Sequence, residues 1–303
     1  MRRRTVLVAF AAAIALGAGT ASAMPRTIEG SAPQLHPEGV AWDATRNAFL
    51  VSSVAHGTVS IVKPNGQVSP LARIPVQAST VGLKVDLRRN RVLVAYSNNF
   101  DATVRSGLAI FDLTTGRQLH VVDLADDAGP HRANDVTVDP WGNAYVSDTV
   151  SDRIYRVDVA GHASVFARDP RLGGELGNNG LAWHPGGYLV VGHYTTGKLF
   201  KVTRDSVSEV AVQPLVGADG IAFRPDGTLL VVTNTLESKG RNSVFSVRSR
   251  DGWASARVVA EKAWPTTSPT TITVSPFSSY VVTGYIDKLL AGTPVDEFRL
   301  DRL

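Results

Sequence analysis

Residues 178–193 read NNGLAWHPGGYLVVGH, and this stretch decides the fold. A polar pair and a glycine lead into alternating apolar and polar residues, then a turn at Pro185-Gly186-Gly187, then a second apolar run from Tyr188. Alternation with a period of two is typical of a strand with two distinct faces, and the proline and glycines are typical of a turn. The segment therefore predicts two strands joined by a tight turn.

The same pattern occurs six times along the chain. The opening segments are PEGVAWD at 37, TVGLKVD at 80, ANDVTVD at 133, NNGLAWH at 178, ADGIAFR at 218 and PTTITVS at 269. Each is followed by a strongly β-forming run, and most units continue with a third and a fourth strand. The second residues of the opening pairs lie at 39, 82, 135, 180, 220 and 271, so the mean interval is about 46 residues, which fits propeller blades. The sequence thus predicts an all-β fold, a six-bladed β-propeller with four-stranded antiparallel blades.

The last repeat is short of strands. After Tyr285 only the segment from Val295 to Leu300 is clearly β-like. We expect the residues around Arg26 to Gly30 to pair there, because closing the ring removes exposed sheet edges.

The first 23 residues have the features of a cleaved signal peptide. Three arginines at 2–4 precede an apolar run over 6–16, and Ala21-Ser22-Ala23 fits a cleavage signal. Arg3-Arg4 also resembles a twin-arginine core, so the export route stays open. The prediction is a secreted or periplasmic protein in which residues 24–303 form one propeller domain with no membrane span.

Charge and cysteine content exclude several classes of partner and cofactor. The formal net charge of +4 falls to +1 once the three leader arginines are removed, which argues against nucleic acid as a partner. The chain has no cysteine, so neither a disulfide framework nor a thiolate metal site can form. A small molecule is the partner that we expect.

One register position recurs in all six repeats, directly before each of the positions counted above. Its occupants are Glu38, Val81, Asn134, Asn179, Asp219 and Thr270. In a propeller the innermost strands line the axis, so these side chains should converge at one mouth of the central channel. Two carboxylates and two amide oxygens suit Ca²⁺ best, with Zn²⁺ or Mn²⁺ as alternatives. Asn, Asp and Gly are also typical of turns before strands, and that interpretation stays open.

At these residues the sequence resembles the SMP-30/gluconolactonase/LRE-like family, and more distantly the paraoxonase and strictosidine synthase propellers. The resemblance extends over nearly all of residues 24–303. It implies a divalent cation held by Glu38 in PEGVAWD, Asn134 in RANDVTVD, Asn179 in NNGLAWH and Asp219 in ADGIAFR.

The resemblance also implies roles in catalysis and substrate binding. Asp219 corresponds to a general base, Asn134 to a residue that often acts through water or substrate, and Arg132 to a residue that contacts substrate. Val136 stands where the lactonases usually have glycine, and acidic residues that help hold sugar hydroxyls are not clearly present after Val146. The resemblance therefore supports the fold and the metal site more than it supports a particular substrate.

Four histidines are expected near the same mouth. His36 and His131 precede opening strands, whereas His56 and His193 follow second strands. A carboxylate bound to a cation is a weak base near neutral pH, so a histidine is better suited to proton transfer. We predict that one of the four does this, with His131 as the first candidate, and that His56 and His193 contact substrate. An ordinary loop role is the alternative for each of them.

Two further residues are pocket candidates. Tyr194 and Asn98 each follow a second strand, and a packing or turn role is the equal alternative for both. Tyr194 is the one that we assign to substrate contact.

Two functions of different classes follow from these residues. The first is a hydrolase of a lactone or similar ester, in which the cation polarises the carbonyl. The second is a secreted binding or sensing propeller that holds Ca²⁺ and performs no chemistry, because the fold alone does not select a function.

Overall fold

The computed structural model describes residues 24–98, 105–125 and 129–303. The predicted signal peptide lies outside these residues. Within them the chain forms six antiparallel sheets of four strands each, so the predicted six-bladed propeller is confirmed.

The strands follow one another in chain order. The first half of the chain contains β1 (Thr27–Ser31), β2 (Val40–Asp43), β3 (Ala48–Val51), β4 (Thr58–Val62), β5 (Val68–Arg73), β6 (Ser79–Asp86), β7 (Arg91–Ser97), β8 (Ser106–Asp112), β9 (Gln118–Asp123), β10 (Ala133–Val138), β11 (Ala144–Asp148) and β12 (Arg153–Val157). The second half contains β13 (Ala163–Arg168), β14 (Asn178–His184), β15 (Tyr188–His193), β16 (Leu199–Val202), β17 (Val207–Val210), β18 (Ala218–Phe223), β19 (Leu229–Thr233), β20 (Ser243–Arg248), β21 (Arg257–Ala263), β22 (Pro269–Val274), β23 (Ser279–Thr283) and β24 (Glu297–Arg302).

Helical structure is scarce in the described residues. It consists of the 3₁₀ turns Leu87–Arg89 and Pro170–Leu172 and one short helix, α1 (Ile286–Leu290), which follows β23. None of these described helices has the length and apolar character needed to cross a membrane.

Blades 1 to 5 are simple meanders in which each strand pairs with the next along the chain. Their first strands, together with β22 of blade 6, are the innermost ones, and each contacts the innermost strands of the two neighbouring blades. The innermost strands therefore form a closed ring about the axis. The loops that precede them and the loops between second and third strands lie at one end of this ring, which we call the upper face.

Apolar side chains fill the spaces between neighbouring blades. Blades 2 and 3, for example, share a cluster that includes Leu93, Val136, Val146 and Tyr155, all of them buried. Valine and leucine dominate the second strands, such as β15, whose residues are buried along its whole length. Burial of these side chains is the main stabilising contribution in a chain without disulfides.

Blade 6 is completed by the N-terminal strand, as the sequence predicts. Its strand order is β1-β24-β23-β22, and Ile28 lies opposite Leu300 in the antiparallel pair of β1 and β24. Ile28 and Leu300 are fully buried in one cluster with Phe298. The ring is thus closed by two segments from opposite ends of the chain.

Deleting residues 24–33 is expected to lower the thermal unfolding midpoint, because β24 would lose its partner strand and the core would lose Ile28. Truncating a buried isoleucine alone costs about 2–5 kcal/mol. The measurement compares residues 24–303 with residues 34–303 by circular dichroism melting. An Ile28→Val variant, which keeps the strand pairing, should fall between them. Equal midpoints for the two lengths would show that β1 does not close the ring.

Candidate active site at the axial cavity

A β-bulge occupies the predicted register position in five of the six blades. Regular pairing of the first and second strands skips Val81-Gly82, Asn134-Asp135, Asn179-Gly180, Asp219-Gly220 and Thr270-Thr271. In blade 1 the corresponding residues, Glu38 and Gly39, lie just before β2 begins at Val40. A bulge breaks the alternation of a strand and re-aims a side chain. The side chain at the recurring position is therefore directed by a β-bulge in these blades and not by the regular alternation of the strand.

Glycine follows the recurring position in four blades because the innermost strands approach one another closely there. A Cβ atom at Gly39 would lie 2.5 Å from the carbonyl oxygen of Val81, and one at Gly220 would lie 2.6 Å from Cα of Thr271. Both neighbours are backbone atoms that cannot rotate away. The tight axial packing thus depends on these glycines.

The side chains at the recurring position meet in a cavity at the upper face. Its volume is about 130 Å³, and all six register residues line it, from Glu38 in blade 1 to Thr270 in blade 6. The sequence prediction that they share one mouth of the channel therefore agrees with the geometry. Their chemical roles are a separate question.

Four of these residues carry a carboxylate or an amide oxygen. Glu38, Asn179 and Asp219 are buried, and Asn134 is half-buried. Among the described residues, Glu38 Oε2, Asn134 Oδ1 and Asn179 Oδ1 are buried and accept no hydrogen bond. Buried polar atoms are normally paired, so three unpaired acceptors in one cavity call for an explanation.

Asp219 is held by the amide side chain of Asn234. Asn234 Nδ2 donates to Asp219 Oδ2 at 2.6 Å, and the neighbouring Asn179 amide lowers the pKa of the carboxylate. Asn234 Nδ2 donates in addition to the carbonyl oxygen of Pro269, and Asn234 Oδ1 accepts from the Tyr194 hydroxyl at 2.6 Å. This network fixes the orientation of the Asp219 carboxylate.

The cavity concentrates negative charge. Burial raises the pKa of Glu38 well above its usual range, and the nearby charges of Asp219 and Asp135 raise it further. Burial also raises the pKa of Asp219 to about 8, although the hydrogen bond from Asn234 acts in the opposite direction. Among the described residues neither carboxylate forms an ion pair, and two buried carboxylates are costly unless a positive charge compensates them.

These residues fit a divalent cation. The unpaired oxygen atoms are hard ligands of the kind that Ca²⁺ prefers, and a cation would neutralise the two carboxylates. Within the described ranges no three His, Cys, Asp or Glu side chains are grouped so that they could hold a metal ion. A cation at this cavity would therefore depend on the amide oxygens of Asn134 and Asn179 as well as on the carboxylates.

Arg132 and Tyr194 line the same cavity, as the assignment to substrate contact requires. Arg132 is anchored beside the cavity through its backbone amide, which donates to Asp148 Oδ1 at 2.8 Å. The Tyr194 hydroxyl is already engaged with Asn234, which gives this residue a supporting role as well. Asn98 is not part of the cavity lining, and its backbone amide donates to Arg105.

None of the four histidines lines the cavity. His131 Nδ1 lies 2.7 Å from Asp148 Oδ2 in a fully buried pair, and His36 Nδ1 lies 2.8 Å from the carbonyl oxygen of Gly284. His56 and His193 direct Nε2 at the carbonyl oxygens of Pro33 and Gly173. The upper-face loops use these rings as hydrogen-bonding partners. Proton transfer by His131, and substrate contact by His56 and His193, stay predictions without support from this geometry.

Sequence reasoning missed Asn234 and Glu237. Asn234 directly follows β19, and its backbone amide donates a hydrogen bond to the residue just before β18. The backbone amides of Tyr194 and Thr149, which follow β15 and β11, donate equivalent hydrogen bonds to the residues just before β14 and β10. This shared backbone contact makes Asn234 the blade-5 equivalent of Tyr194, so aligning the ends of the second strands would have found it. Glu237 lies in an irregular loop, where no repeat pattern could have found it, and it lines the cavity.

The fold and the site together define a six-bladed propeller whose bulged inner strands build a polar axial cavity. The family described as SMP-30/Gluconolactonase/LRE-like region matches residues 36–275, and the chain belongs to this family. No curated protein matches the sequence.

Solved structures share the fold at low sequence identity. The Malassezia sympodialis allergen Mala s 1 superposes with a TM-score of 0.74 at 19% identity, over 92% of this chain and 96% of the allergen. A calcium-binding regucalcin from Agrobacterium tumefaciens gives 0.63 at 16% identity, over 89% and 90%. A luciferin-regenerating enzyme gives 0.63 at 14% identity, over 91% and 96%. At these identities the likeness demonstrates the fold alone.

Proposed function

We propose that the protein is a metal-dependent hydrolase that opens a lactone or cleaves a similar ester. The observation that carries the proposal is the set of unpaired buried oxygens on Glu38, Asn134 and Asn179, which share one cavity with the Asp219 carboxylate. Membership of a family named after gluconolactonase supports the reaction class. The leader-like first 23 residues support the further proposal that the protein acts outside the cytoplasm.

The reaction that we propose is hydrolysis. A water oxygen forms a bond to the lactone carbonyl carbon, the ring C–O bond breaks, and the proton released by water ends on the departing alkoxide, which gives a hydroxy acid. When bound, a divalent cation, with Ca²⁺ as the first candidate, supplies Lewis-acid polarisation of the carbonyl oxygen.

The residues of the chain supply binding and orientation. Asn234 holds the Asp219 carboxylate in one orientation, from which it can accept a hydrogen bond from the attacking water. Arg132, on the wall of the cavity, places a positive charge where negative charge develops on the substrate. Tyr194 maintains this arrangement through Asn234.

The absence of any histidine from the described cavity lining favours a second candidate function. A propeller that binds a cation and a small molecule without turning it over needs no separate proton carrier. The calcium-binding regucalcin among the structural neighbours is consistent with such a role.

Metal removal separates the two functions. For the hydrolase, EDTA treatment should reduce the turnover of lactones and aryl esters by at least about 100-fold, the loss typical when charge stabilisation in the transition state is removed. Re-addition of Ca²⁺, Mn²⁺ or Zn²⁺ should restore it. The measurement is a pH-indicator assay over a panel of lactones, run beside thermal melting of the same samples.

A non-catalytic protein gives a different result in the same assay. Ca²⁺ at about 100 times its dissociation constant would stabilise the fold by about 2.7 kcal/mol, which melting would detect, yet no substrate would be hydrolysed at any metal concentration. Hydrolysis that survives complete removal of metal would contradict the metal-dependent mechanism.

A further inference from the structure

The wall of the axial cavity is divided into a polar side and an apolar side. The polar side belongs to blade 3, which contributes Arg132, Asn134 and Thr149. The Thr149 hydroxyl oxygen is buried and has no hydrogen-bond partner among the described residues. This side therefore offers a charged donor and an unpaired hydroxyl to a bound molecule.

The apolar side spans blades 5, 6 and 1, which are consecutive around the ring. Leu236 comes from the loop after β19, Ile286 and Leu290 come from α1, and Val54 comes from the loop after β3. We call these four residues the apolar arc. Ile286 and Val54 are buried, whereas the Leu290 side chain at the outer rim is 52% exposed. The arc thus extends from the interior of the cavity to the solvent.

Two hydroxyl groups near the arc are engaged already, and Glu237, next to Leu236, is the charged residue on this side of the lining. The Tyr194 hydroxyl donates to Asn234 and accepts from the Glu237 amide, and the Thr270 hydroxyl donates to the carbonyl oxygen of Glu38. A ligand hydroxyl placed against the arc would meet aliphatic carbon on most sides. Burying a hydroxyl without a partner is unfavourable, whereas burying a methylene there is favourable.

Resting on the proposed function, we infer that the substrate is a lactone with an alkyl substituent and not a polyhydroxylated sugar lactone. The ring would occupy the floor, with its carbonyl directed to the register residues and blade 3. A cavity of about 150 Å³ holds a molecule the size of benzene, and the axial cavity is slightly smaller at about 130 Å³, so its floor would take no more than one small ring and a substituent would have to extend through the open mouth. The alkyl chain would then run outward along the apolar arc toward Leu290.

The test compares lactones that share one ring. We expect kcat/KM to rise from δ-valerolactone to δ-octalactone and δ-decalactone by roughly fourfold for each methylene that the arc buries. D-Glucono-δ-lactone should be the poorest substrate of the set. Equal or better turnover of the gluconolactone would overturn the inference while leaving the hydrolase intact.

A matched pair of variants locates the effect. Leu290→Ser changes a leucine of the arc that is 52% exposed, and Leu87→Ser changes a 50% exposed leucine in the 3₁₀ turn between β6 and β7, at the opposite end of the ring. Leu290→Ser should reduce the preference for δ-decalactone over δ-valerolactone by at least about threefold. Leu87→Ser should leave that preference unchanged. An equal change in both variants would contradict a specific role of the arc.

A binding measurement separates failure of the inference from failure of the proposed function. The δ-lactam 6-pentylpiperidin-2-one has the same shape as δ-decalactone but resists hydrolysis, and calorimetry measures its binding to the Ca²⁺-loaded protein. If no lactone is hydrolysed and the lactam still binds in a Leu290-dependent way, the hydrolase fails and the ligand class stands. If the lactam binds no better than unsubstituted piperidin-2-one, the ligand class is wrong whatever the activity.

Discussion

Replacing Asp219 by asparagine is expected to abolish hydrolysis and to weaken cation binding by at least about 100-fold. Removing a residue that only hydrogen-bonds a metal ligand already weakens metal binding by up to about 100-fold, so removing a ligand should cost at least as much. The change removes one of two buried carboxylates from the cavity and keeps the size of the side chain. It also removes the charge that would face the attacking water. Isothermal titration with Ca²⁺ and the lactone assay measure the two losses.

The Asp219→Asn protein without metal should be at least as stable as the wild type without metal. The carboxylates of Asp219 and Glu38 raise the cost of each other's ionisation, so removing one charge should leave the metal-free melting midpoint equal to or above that of the wild type. The stabilisation by added Ca²⁺ should disappear. Asp205→Asn, in the exposed turn after β16, is the matched control and should change neither property. Wild-type Ca²⁺ stabilisation in Asp219→Asn would remove this residue from the proposed ligand set.

Replacing Gly180 by alanine is expected to destabilise the fold by about 3 kcal/mol or more, at the upper end of the range for inserting a methyl group into a packed core. The new Cβ would clash with the backbone carbonyl oxygen of Asp219 and lie 2.9 Å from the amide nitrogen of Ile221. This clash can be relieved only if β14 and β18 move apart, and these strands contain Asn179 and Asp219. Cation binding should therefore weaken together with stability.

The matched control for this change is Gly173→Ala. A Cβ there would meet its nearest atoms at 3.4 Å, and the φ of −83° suits alanine. Chemical denaturation of the two variants measures the difference in unfolding free energy. If Gly180→Ala were as stable as Gly173→Ala, the close approach of the innermost strands would not be required for the fold.

The six blades and the cavity residues could be predicted because the repeat aligns equivalent positions. Glu38, Asn134, Asn179 and Asp219 stand out in that alignment, and the structure brings them into one cavity. The bulges that aim them could not be predicted, since a bulge adds no distinctive residue type to an alternating pattern. The sequence suggested the site through repetition and not through the local shape of the backbone.

The orientation of the histidine rings could not be predicted from the repeat. His131 and His193 lie on the expected face of the ring, but whether a ring points into the cavity or toward a loop depends on carbonyl groups and carboxylates that no repeat encodes. Asp148 engages His131, and the Gly173 carbonyl engages His193. The apolar arc was missed for a similar reason, because Leu236 and Ile286 lie in or beside loops of unequal length.

The pairing of β1 with β24 makes the cavity a late product of folding. The hydrogen bond from Thr27 to Asp301 joins residues 274 positions apart, and contacts of such separation form slowly because a long loop must first be closed. Until this seam forms, blade 6 has an incomplete sheet. The hydrogen bond from the Thr270 hydroxyl to the Glu38 carbonyl oxygen, which joins blade 6 to blade 1 at the axis, spans a similarly long separation of 232 positions. We therefore expect a nascent chain to assemble its first five blades in succession and to complete the site only when β1 and β24 have paired.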